Sequence, residues 1–311
     1  MKPAFSTVAC PTWTLSQVAE VAERIGVLGV ELRTHGHGST MLACEPALTS
    51  SEKVRATFDR VGVQPFCLAT SIRFDEPIFP PVLGRVFSDT EASVRAGKSA
   101  VDLAREIGCP YVRVFGFELH GDESRPNALA RILDRLGKVL DHCRNTGVKL
   151  LIENGGSFPT ATGLAELIDR AGSPFLEAAY SPAVAALAGE SLRNGMNVLG
   201  DRLAAVKLRD LRAGKACALG RGDLRVGNTL DTLRDDGFDG WVVAELDLAW
   251  LPAATDPAPI AHGKKSHAPR PVAPDTEALL SESIRFIYDH MGTHPVAARR
   301  PVAPRSAPAH A

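Results

Sequence analysis

Two glutamates stand where apolar runs of the sequence give way to polar side chains. Glu153 follows Leu-Leu-Ile, and Glu245 follows Val-Val-Ala. A carboxylate buried without a partner is costly, so these positions favour side chains that face a polar, functional interior. Two carboxylates facing each other across a pocket can take a proton from carbon and return it, which is general acid–base chemistry. A structural ion pair at the rim is the alternative interpretation.

The elements that must position these residues alternate as short apolar strands and longer amphipathic helices. Phe5–Ala9, Gly29–Arg33 and Tyr111–Phe115 are among the predicted strands, Thr14 opens the first predicted helix, and the alternation recurs about eight times. An open doubly wound sheet is the alternative, but the turn after the first strand lacks its G-x-G-x-x-G pattern. We therefore predict a single-domain α/β protein, a (β/α)₈ TIM barrel, with its chemistry at the carboxyl ends of the strands.

The barrel is predicted to occupy residues 1–291, and two segments depart from its alternation. Residues 252–271, rich in Pro, Ala, His and Lys, form a predicted loop at the mouth, where barrels keep functional loops. Both a lid and a disordered loop are open interpretations of this segment. Residues 292–311 repeat Pro, Ala and Arg and cannot bury a core, so they predict a disordered tail.

Composition excludes several classes of function. The chain has 311 residues and a formal net charge of −1, without a basic stripe interleaved with aromatics, so we expect no nucleic-acid or membrane partner. The six cysteines lack any C-x-x-C spacing, which favours reduced thiols over a zinc knuckle. No signal-peptide run opens the sequence, and no stretch approaches the roughly 20 apolar residues of a membrane span. We expect a cytoplasmic protein with a small-molecule substrate; homo-oligomer formation is left open.

Four stretches of the sequence resemble a known family. VRVFGF, LLIENGG, AAVKLRD and ALGRGDLRVGNTLDTLRDDGFDGWVVAELD are similar to the sugar isomerase/epimerase-like, or xylose isomerase-like, barrels, and the resemblance runs from about Phe5 to His290. This family includes ketose 3-epimerases, hydroxypyruvate isomerases, inosose dehydratases and 3-dehydroshikimate dehydratases. The resemblance implies proton abstraction next to a carbonyl. One glutamate removes the proton, an enediolate forms, and the opposite glutamate returns the proton.

The resemblance also implies a divalent-metal site at four strand ends, and the sequence departs from it at two of them. The two glutamates of the family fall on Glu153 and Glu245, its aspartate on Ser181 and its histidine on Lys207. Hydroxyl and ammonium groups are poor substitutes as ligands of a hard cation. Two glutamates and a protonated lysine sum to about −1, as the family's ligands and metal do. We therefore expect no metal cofactor, with Lys207 in the electrostatic place of the metal; a divalent metal such as manganese at Glu153 and Glu245 is the alternative.

The lysine could act in two ways. As a cation, Lys207 would stabilise the developing enediolate charge together with Arg209 and Ser181. As a neutral amine, it would form a Schiff base with a ketone, although two nearby glutamates would raise its pKa and oppose this. A shifted alignment, in which Asp210 or Asp247 becomes a metal ligand, is a further alternative.

Other polar or aromatic residues at predicted strand ends are candidates for substrate binding. Arg113 lies inside the strand YVRVF and needs a carboxylate partner, so we expect it to orient Glu153 or to bind substrate. His35 belongs to a polar cluster with Glu31 after the second strand, where a solvated loop is the alternative. Trp13 follows the first strand and would offer an apolar wall to a sugar; core packing is the alternative.

Together these features predict an isomerase or epimerase of a small polyhydroxylated carbonyl compound, sugar-like or cyclitol-like. Glu153, Glu245 and Lys207 are the predicted catalytic residues, acting without a metal. A dehydratase that uses the same α-proton abstraction is the second hypothesis. A non-catalytic or repurposed binding barrel is the third; the loss of two metal ligands supports it, and the retention of both glutamates argues against simple decay.

Overall fold

Within the part of the chain that the structure describes, eight parallel strands form a closed barrel. The strands are β1 Lys2–Ser6, β2 Gly29–His35, β3 Gln64–Ala69, β4 Tyr111–Phe115, β5 Lys149–Glu153, β6 Leu176–Tyr180, β7 Leu203–Leu208 and β8 Trp241–Ala244. Each strand pairs with its neighbours in sequence, and β1 pairs with both β2 and β8. Closure leaves no free sheet edge.

The structure is a computed structural model, and it describes residues 1–35, 41–42, 50–76, 91–115, 118–119, 123–247 and 275–293. The predicted mouth loop at 252–271 and residues 294–311 of the predicted tail lie outside the described residues, so the predicted domain boundaries stay a prediction. Over the described ranges, no helix is both long and apolar enough to cross a membrane.

Helices follow the strands and cover the outside of the barrel. They are α1 Leu15–Ile25, α2 Ser51–Val61, α3 Ala92–Ile107, α4 Arg125–His142, α5 Ala161–Ala171, α6 Pro182–Leu187, α7 Leu192–Leu199, α8 Val226–Asp235 and α9 Thr276–Met291. The predicted cap of α1 is present, since the Thr14 side chain accepts a hydrogen bond from the Gln17 backbone N–H at 3.1 Å. The prediction of a single-domain (β/α)₈ TIM barrel is confirmed.

The first strand lies earlier in the sequence than predicted. It spans Lys2–Ser6 instead of Phe5–Ala9, because Thr7–Ala9 form a 3₁₀ turn. The side chain of Thr7 accepts a hydrogen bond from the Arg33 backbone N–H at 2.9 Å, which ties this turn to the end of β2. The end of β1 therefore depends on a contact with β2, which the local sequence around Thr7 does not reveal.

The core has two layers, separated by the alternation of side chains along each strand. Outward residues such as Phe5, Val30 and Leu32 pack against the helices. Inward residues fill the barrel itself, and these are Ala4, Phe66, Cys67, Leu151, Ala179, Ala205, Trp241 and Val243. The rings of Phe66 and Trp241 stack with centroids 4.3 Å apart. We call these eight inward residues the apolar plug; they fill the barrel nearer the amino ends of the strands. Inward positions nearer the carboxyl ends form a separate layer above the plug.

Candidate active site

Six charged side chains lie inside the barrel above the apolar plug, and we call them the charged layer: Glu31, Arg113, Glu153, Lys207, Arg209 and Glu245. Side chains alternate along a strand between the inside and the outside of the barrel, and these six occupy inward positions. Glu31, for example, lies between Val30 and Leu32, which are buried against the outer helices. Their side chains are at most 10% exposed. Burial of this many charges requires that they pair with one another.

Lys207 lies at the centre of the charged layer. Its Nζ is 2.7 and 2.9 Å from the two oxygens of Glu31, 3.1 Å from Glu245 Oε1 and 3.6 Å from Glu153 Oε2. Burial alone would lower the pKa of Lys207, but the three carboxylates outweigh it and raise the pKa above its usual value. Lys207 is therefore an ammonium ion, and the three carboxylates balance its charge.

Two arginines each donate a hydrogen bond to one glutamate of the charged layer. Arg113 Nη1 donates to Glu153 Oε2 at 2.8 Å, and Arg209 Nε donates to Glu245 Oε2 at 2.7 Å. Burial would raise the pKa of Glu245, but Lys207 and Arg209 outweigh it and hold that pKa well below its usual range. Because both oxygens of Glu245 face cations, this carboxylate stays ionised and is a weak base.

Two buried polar atoms near the carboxyl ends of neighbouring strands lack a hydrogen-bond partner among the described residues: Glu153 Oε1 and Ser181 Oγ. Arg209 Nη2 lies 3.8 Å from Glu153 Oε1, beyond hydrogen-bond distance. Asn154 fixes the backbone beside Ser181, since its Oδ1 accepts from the Ser181 N–H at 2.6 Å and its Nδ2 donates to the Ser181 carbonyl at 3.1 Å. An unsatisfied buried polar atom costs about 1–3 kcal/mol, so these two atoms mark a place where a ligand group or a water is needed.

The charge of the site differs from the prediction. Glu153, Glu245 and Lys207 alone sum to −1, but Glu31 adds a carboxylate, and Arg113 and Arg209 add two cations, so that three acids face three bases. The charged layer is therefore neutral. Sequence analysis placed Glu31 only in a polar cluster near His35 and missed its role; its inward position in the alternating strand GVELR was the available signal.

The residues present do not fit a divalent metal. The resemblance assigns the histidine ligand to Lys207, and this ammonium ion, within 2.7–3.6 Å of three carboxylates, would repel a cation placed there. The resemblance assigns the aspartate ligand to Ser181, whose hydroxyl is a poor ligand for a hard cation. Across the described ranges, no group of three or more His, Cys, Asp or Glu side chains is arranged to hold a metal ion.

Asp210 has a structural role, and backbone N–H groups occupy both of its carboxylate oxygens, which makes it a poor candidate for the metal ligand of a shifted alignment. Its carboxylate accepts hydrogen bonds from the backbone N–H groups of Leu211, Gly220, Gly222 and Leu224 at 2.9–3.2 Å. A Cβ on Gly222 would lie 2.1 Å from Asp210 Oδ1, which explains the glycine. This loop leads into α8 and supports the rim of the barrel.

Of the remaining predicted substrate contacts, Trp13 is the one whose side chain the structure describes, and it does not join the charged layer. Trp13 is partly buried and packs against the outer core between strands and helices, which matches the core-packing alternative. The backbone of His35 ends β2, but its side chain lies outside the described residues. A cavity of about 180 Å³ lies beside Lys207 and Arg209, between the first turns of α6 and α8. This volume is smaller than the roughly 300–1,000 Å³ of common ligand pockets, so the described residues enclose only part of the space that a sugar would need.

Comparison with known proteins supports the fold and identifies the family. No curated protein sequence matches the chain. Three solved structures that resemble it are an L-ribulose 3-epimerase (TM-score 0.70, 14% identity, 99% of each chain covered), a D-allulose 3-epimerase from Methylomonas sp. (0.69, 12%, 93% of this chain and 98% of the other), and the probable 3-DHS dehydratase AsbF from Bacillus anthracis (0.67, 11%, 92% and 98%). At these identities the likeness shows the fold alone. A family model, the xylose isomerase-like TIM barrel, matches residues 19–294, and the chain therefore belongs to that family.

Proposed function

We propose that this protein is a metal-independent isomerase of a small polyhydroxylated carbonyl compound. One observation carries the proposal: the Lys207 ammonium, 2.7–3.6 Å from three carboxylates, stands where relatives are expected to hold a metal. Similar structures are named as 3-epimerases of L-ribulose and D-allulose, which favours a ketose or aldose as substrate. Glu153 is the proposed base, and Lys207 and Arg209 are the proposed electrostatic stabilisers.

The proposed reaction begins at Glu153 Oε1, the carboxylate oxygen without a hydrogen-bond partner in the described structure. This oxygen takes a proton from the carbon next to the substrate carbonyl. The electron pair of the broken C–H bond forms a C=C bond, and the carbonyl oxygen becomes an enediolate oxygen. Lys207 supplies the fixed positive charge nearby, which lowers the energy of that oxyanion.

Isomerisation and epimerisation differ in how the proton returns. In a 1,2-isomerisation, one carboxylate can return the proton to the former carbonyl carbon on the same face, while the hydroxyl proton of the carbon that was deprotonated passes to the former carbonyl oxygen. An epimerase instead delivers a proton to the opposite face from a second acid. Glu245 suits that second role poorly, because Lys207 and Arg209 hold both of its oxygens and keep its pKa low. We therefore favour isomerisation with Glu153 as the single proton carrier over the symmetric pair of glutamates expected from the sequence.

The net charge of the site supports this chemistry. Three acids and three bases make the charged layer neutral before reaction. When Glu153 accepts the proton, the layer gains one positive charge while the substrate gains one negative charge. The two charges form together in a buried site, where their attraction is stronger than in water.

Exchange of solvent deuterium into substrate tests the proposal. Wild type would be incubated in D₂O with D-allulose, L-ribulose, D-tagatose and the matching aldoses, and the products followed by NMR. Glu153→Gln is expected to lower exchange by about 10²–10⁴-fold, the usual contribution of a general base. The control, Glu177→Gln, removes a glutamate paired with Lys149 at the opposite end of the barrel and leaves exchange unchanged. If a chelator abolishes exchange and manganese restores it, the metal-independent reading is wrong.

A ligand-binding barrel without catalysis is the second candidate. It is favoured by the ion pairing of every charged side chain in the layer, which suits a stable recognition site. Binding of sugars in thermal-shift measurements, together with no deuterium exchange for any of them, would support it over an isomerase. The dehydratase hypothesis shares the first proton transfer, and loss of a substrate hydroxyl in the same NMR spectra would reveal it.

A further inference from the structure

Arg33 lies at the carboxyl end of β2, one inward position above the charged layer. Glu31 points into the barrel and Leu32 packs in the outer core, so the alternation of the strand gives Arg33 the next inward position. Its side chain is partly buried. Within the described part of the chain, the guanidinium of Arg33 has no hydrogen bond and no ion pair. It is therefore a cation at the mouth that the described structure leaves without a counter-charge.

The carboxylates nearest to this position already face other cations. Glu31, two residues before Arg33, accepts from Lys207 through both oxygens, at 2.7 and 2.9 Å. Arginines donate to the other two glutamates of the charged layer. The carboxylate of Asp247, beyond the end of β8, interacts electrostatically with Arg209. The neutral charged layer thus has no surplus negative charge that would match Arg33.

The backbone of Arg33 is fixed, and its neighbours offer its side chain no partner. The Arg33 N–H donates to Thr7 Oγ1 at 2.9 Å, and the register partner on β3 is Ala69, which has no polar side-chain atom. Near the ends of β5 and β6, the buried atoms Glu153 Oε1 and Ser181 Oγ also lack a described hydrogen bond. A ligand that reaches all three groups would offer polar atoms at one end and negative charge at the other.

We propose that the substrate of this site carries a carboxylate and that Arg33 binds it. The inference rests on the proposed function, because it takes the reacting carbon to lie at Glu153 Oε1. A guanidinium binds a carboxylate through two parallel N–H···O hydrogen bonds. One arginine matches the single charge of a carboxylate, whereas a phosphate monoester carries about −1.5 to −2 at pH 7 and would need a second cation. The substrate class is therefore a small hydroxy-carbonyl acid, with its carboxylate toward β2 and its reacting carbon toward β5.

Calorimetric titration tests the inference through binding alone. Three pairs of probes differ by a carboxylate in place of a CH₂OH group: D-glycerate with glycerol, D-gluconate with D-glucitol, and D-glucuronate with D-glucose. Wild type is expected to bind at least one acid at least about tenfold more tightly than its neutral partner, and Arg33→Gln to weaken that acid by about 10–100-fold, the usual effect of a charge-assisted hydrogen bond. No preference for any acid, or tighter binding of glucose 6-phosphate than of D-glucuronate, would overturn it.

Two further variants separate a specific contact from general attraction. Arg33→Lys keeps the charge but loses the planar fork, so we expect an intermediate loss of affinity, and this variant gives a result if Arg33→Gln does not fold. Arg225 is exposed at the N-terminus of α8, at the same end of the barrel. Arg225→Gln removes one positive charge from the mouth and should change acid binding by less than about twofold, because solvent screens exposed charges. Equal losses in Arg33→Gln and Arg225→Gln would overturn the assignment to Arg33.

Turnover separates this inference from the proposed function. If an acid is isomerised, Arg33→Gln should raise its KM while kcat changes little, because Arg33 holds an end of the substrate that does not react. Binding of acids through Arg33 without deuterium exchange into any of them would refute the proposed function and leave the carboxylate site standing. Exchange into neutral ketoses that is equal in wild type and in Arg33→Gln, with no acid bound, would refute the carboxylate site and leave the proposed function standing.

Discussion

Replacing Lys207 by methionine is the most direct perturbation of the charged layer. Lys207→Met keeps a long, unbranched side chain and removes only the ammonium, which lies 2.7–3.6 Å from Glu31, Glu153 and Glu245. Three carboxylates would then face two arginines, and the layer would carry one uncompensated negative charge. We expect this variant to be the most destabilising single substitution in the layer that leaves the volume of the core nearly constant.

The magnitude follows from the contacts that are lost. At an effective dielectric constant of about 20, one such ion pair contributes about 4 kcal/mol of attraction, so three give a gross attraction on the order of 10 kcal/mol. Desolvation of the ions offsets several kcal/mol each, and breaking a buried pair typically leaves a net loss of about 3–5 kcal/mol. A loss of that size is a large fraction of the roughly 5–15 kcal/mol that stabilises a typical domain.

The pH dependence has a definite sign. In wild type, the lowered pKa of Glu245 contributes stability that is present above the unfolded value near 4.3 and is lost only as pH falls through the lower folded pKa, so it is complete between pH 5 and 8. In Lys207→Met, burial and repulsion raise the pKa of one carboxyl group in the folded state. The stability that this group contributes in its protonated form is lost as pH rises through that raised pKa. The difference in the free energy of unfolding between variant and wild type should therefore decrease by about 1–2 kcal/mol from pH 8 to pH 5.

Urea unfolding followed by circular dichroism at pH 5, 7 and 8 measures both effects. Lys149→Met is the matched control, because Lys149 is half-exposed and pairs with a single glutamate, Glu177, at the other end of the barrel. A pair of that kind contributes less than about 1 kcal/mol. The reasoning is refuted if Lys207→Met costs no more than the control. The double variant Glu31→Leu with Lys207→Met should recover part of the loss, since apolar pairs often replace buried ion pairs without penalty.

Two further predictions test the metal fit and the rim of the barrel. Ser181→Asp combined with Lys207→His restores carboxylate and imidazole ligands, and the variant is expected to retain about one manganese ion per chain in equilibrium dialysis, whereas wild type retains none above background. A wild type that binds manganese as tightly as the double variant would contradict the poor fit. Gly222→Ala forces a Cβ to within 2.1 Å of Asp210 Oδ1 and should cost about 1–3 kcal/mol in the free energy of unfolding. Gly137→Ala in α4 meets no atom within 4 Å and should be neutral or stabilising, and equal losses in both would show that the Asp210 contact is unimportant.

Local sequence patterns were sufficient for the parts of the fold that depend on local physics. Alternating apolar residues predicted the strand at Tyr111–Phe115 with its observed bounds, and Thr14 caps the first helix as expected. The run of apolar residues before Glu153 and Glu245 also predicted that these side chains face the interior. In each case the determining pattern lies within one element, where spacing alone carries the information.

The features that could not be predicted depend on contacts between distant elements. The short helix Pro182–Leu187 is an exception, because the proline at its first position is a local start signal. The partner of Lys207 was a different matter. Glu31 was visible as an inward residue of its strand, but its pairing across the barrel depends on the closure and diameter of the sheet, and one sequence does not specify which of three carboxylates lies nearest.

A lysine at position 207, where the resemblance predicts a metal ligand, makes physical sense only together with its neighbours. A lysine that replaced histidine in an otherwise unchanged site would be one buried cation among ligands arranged for an ion with twice its charge. In this barrel, both oxygens of a third carboxylate, Glu31, accept hydrogen bonds from the Lys207 ammonium, and arginines pair with the other two glutamates. A buried charge left unpaired would cost several kcal/mol, so random decay is a poor explanation for a layer in which acids and bases balance. Within that balanced layer, Glu153 Oε1 is the carboxylate oxygen without a described hydrogen bond, and chemistry or ligand binding is expected to begin there.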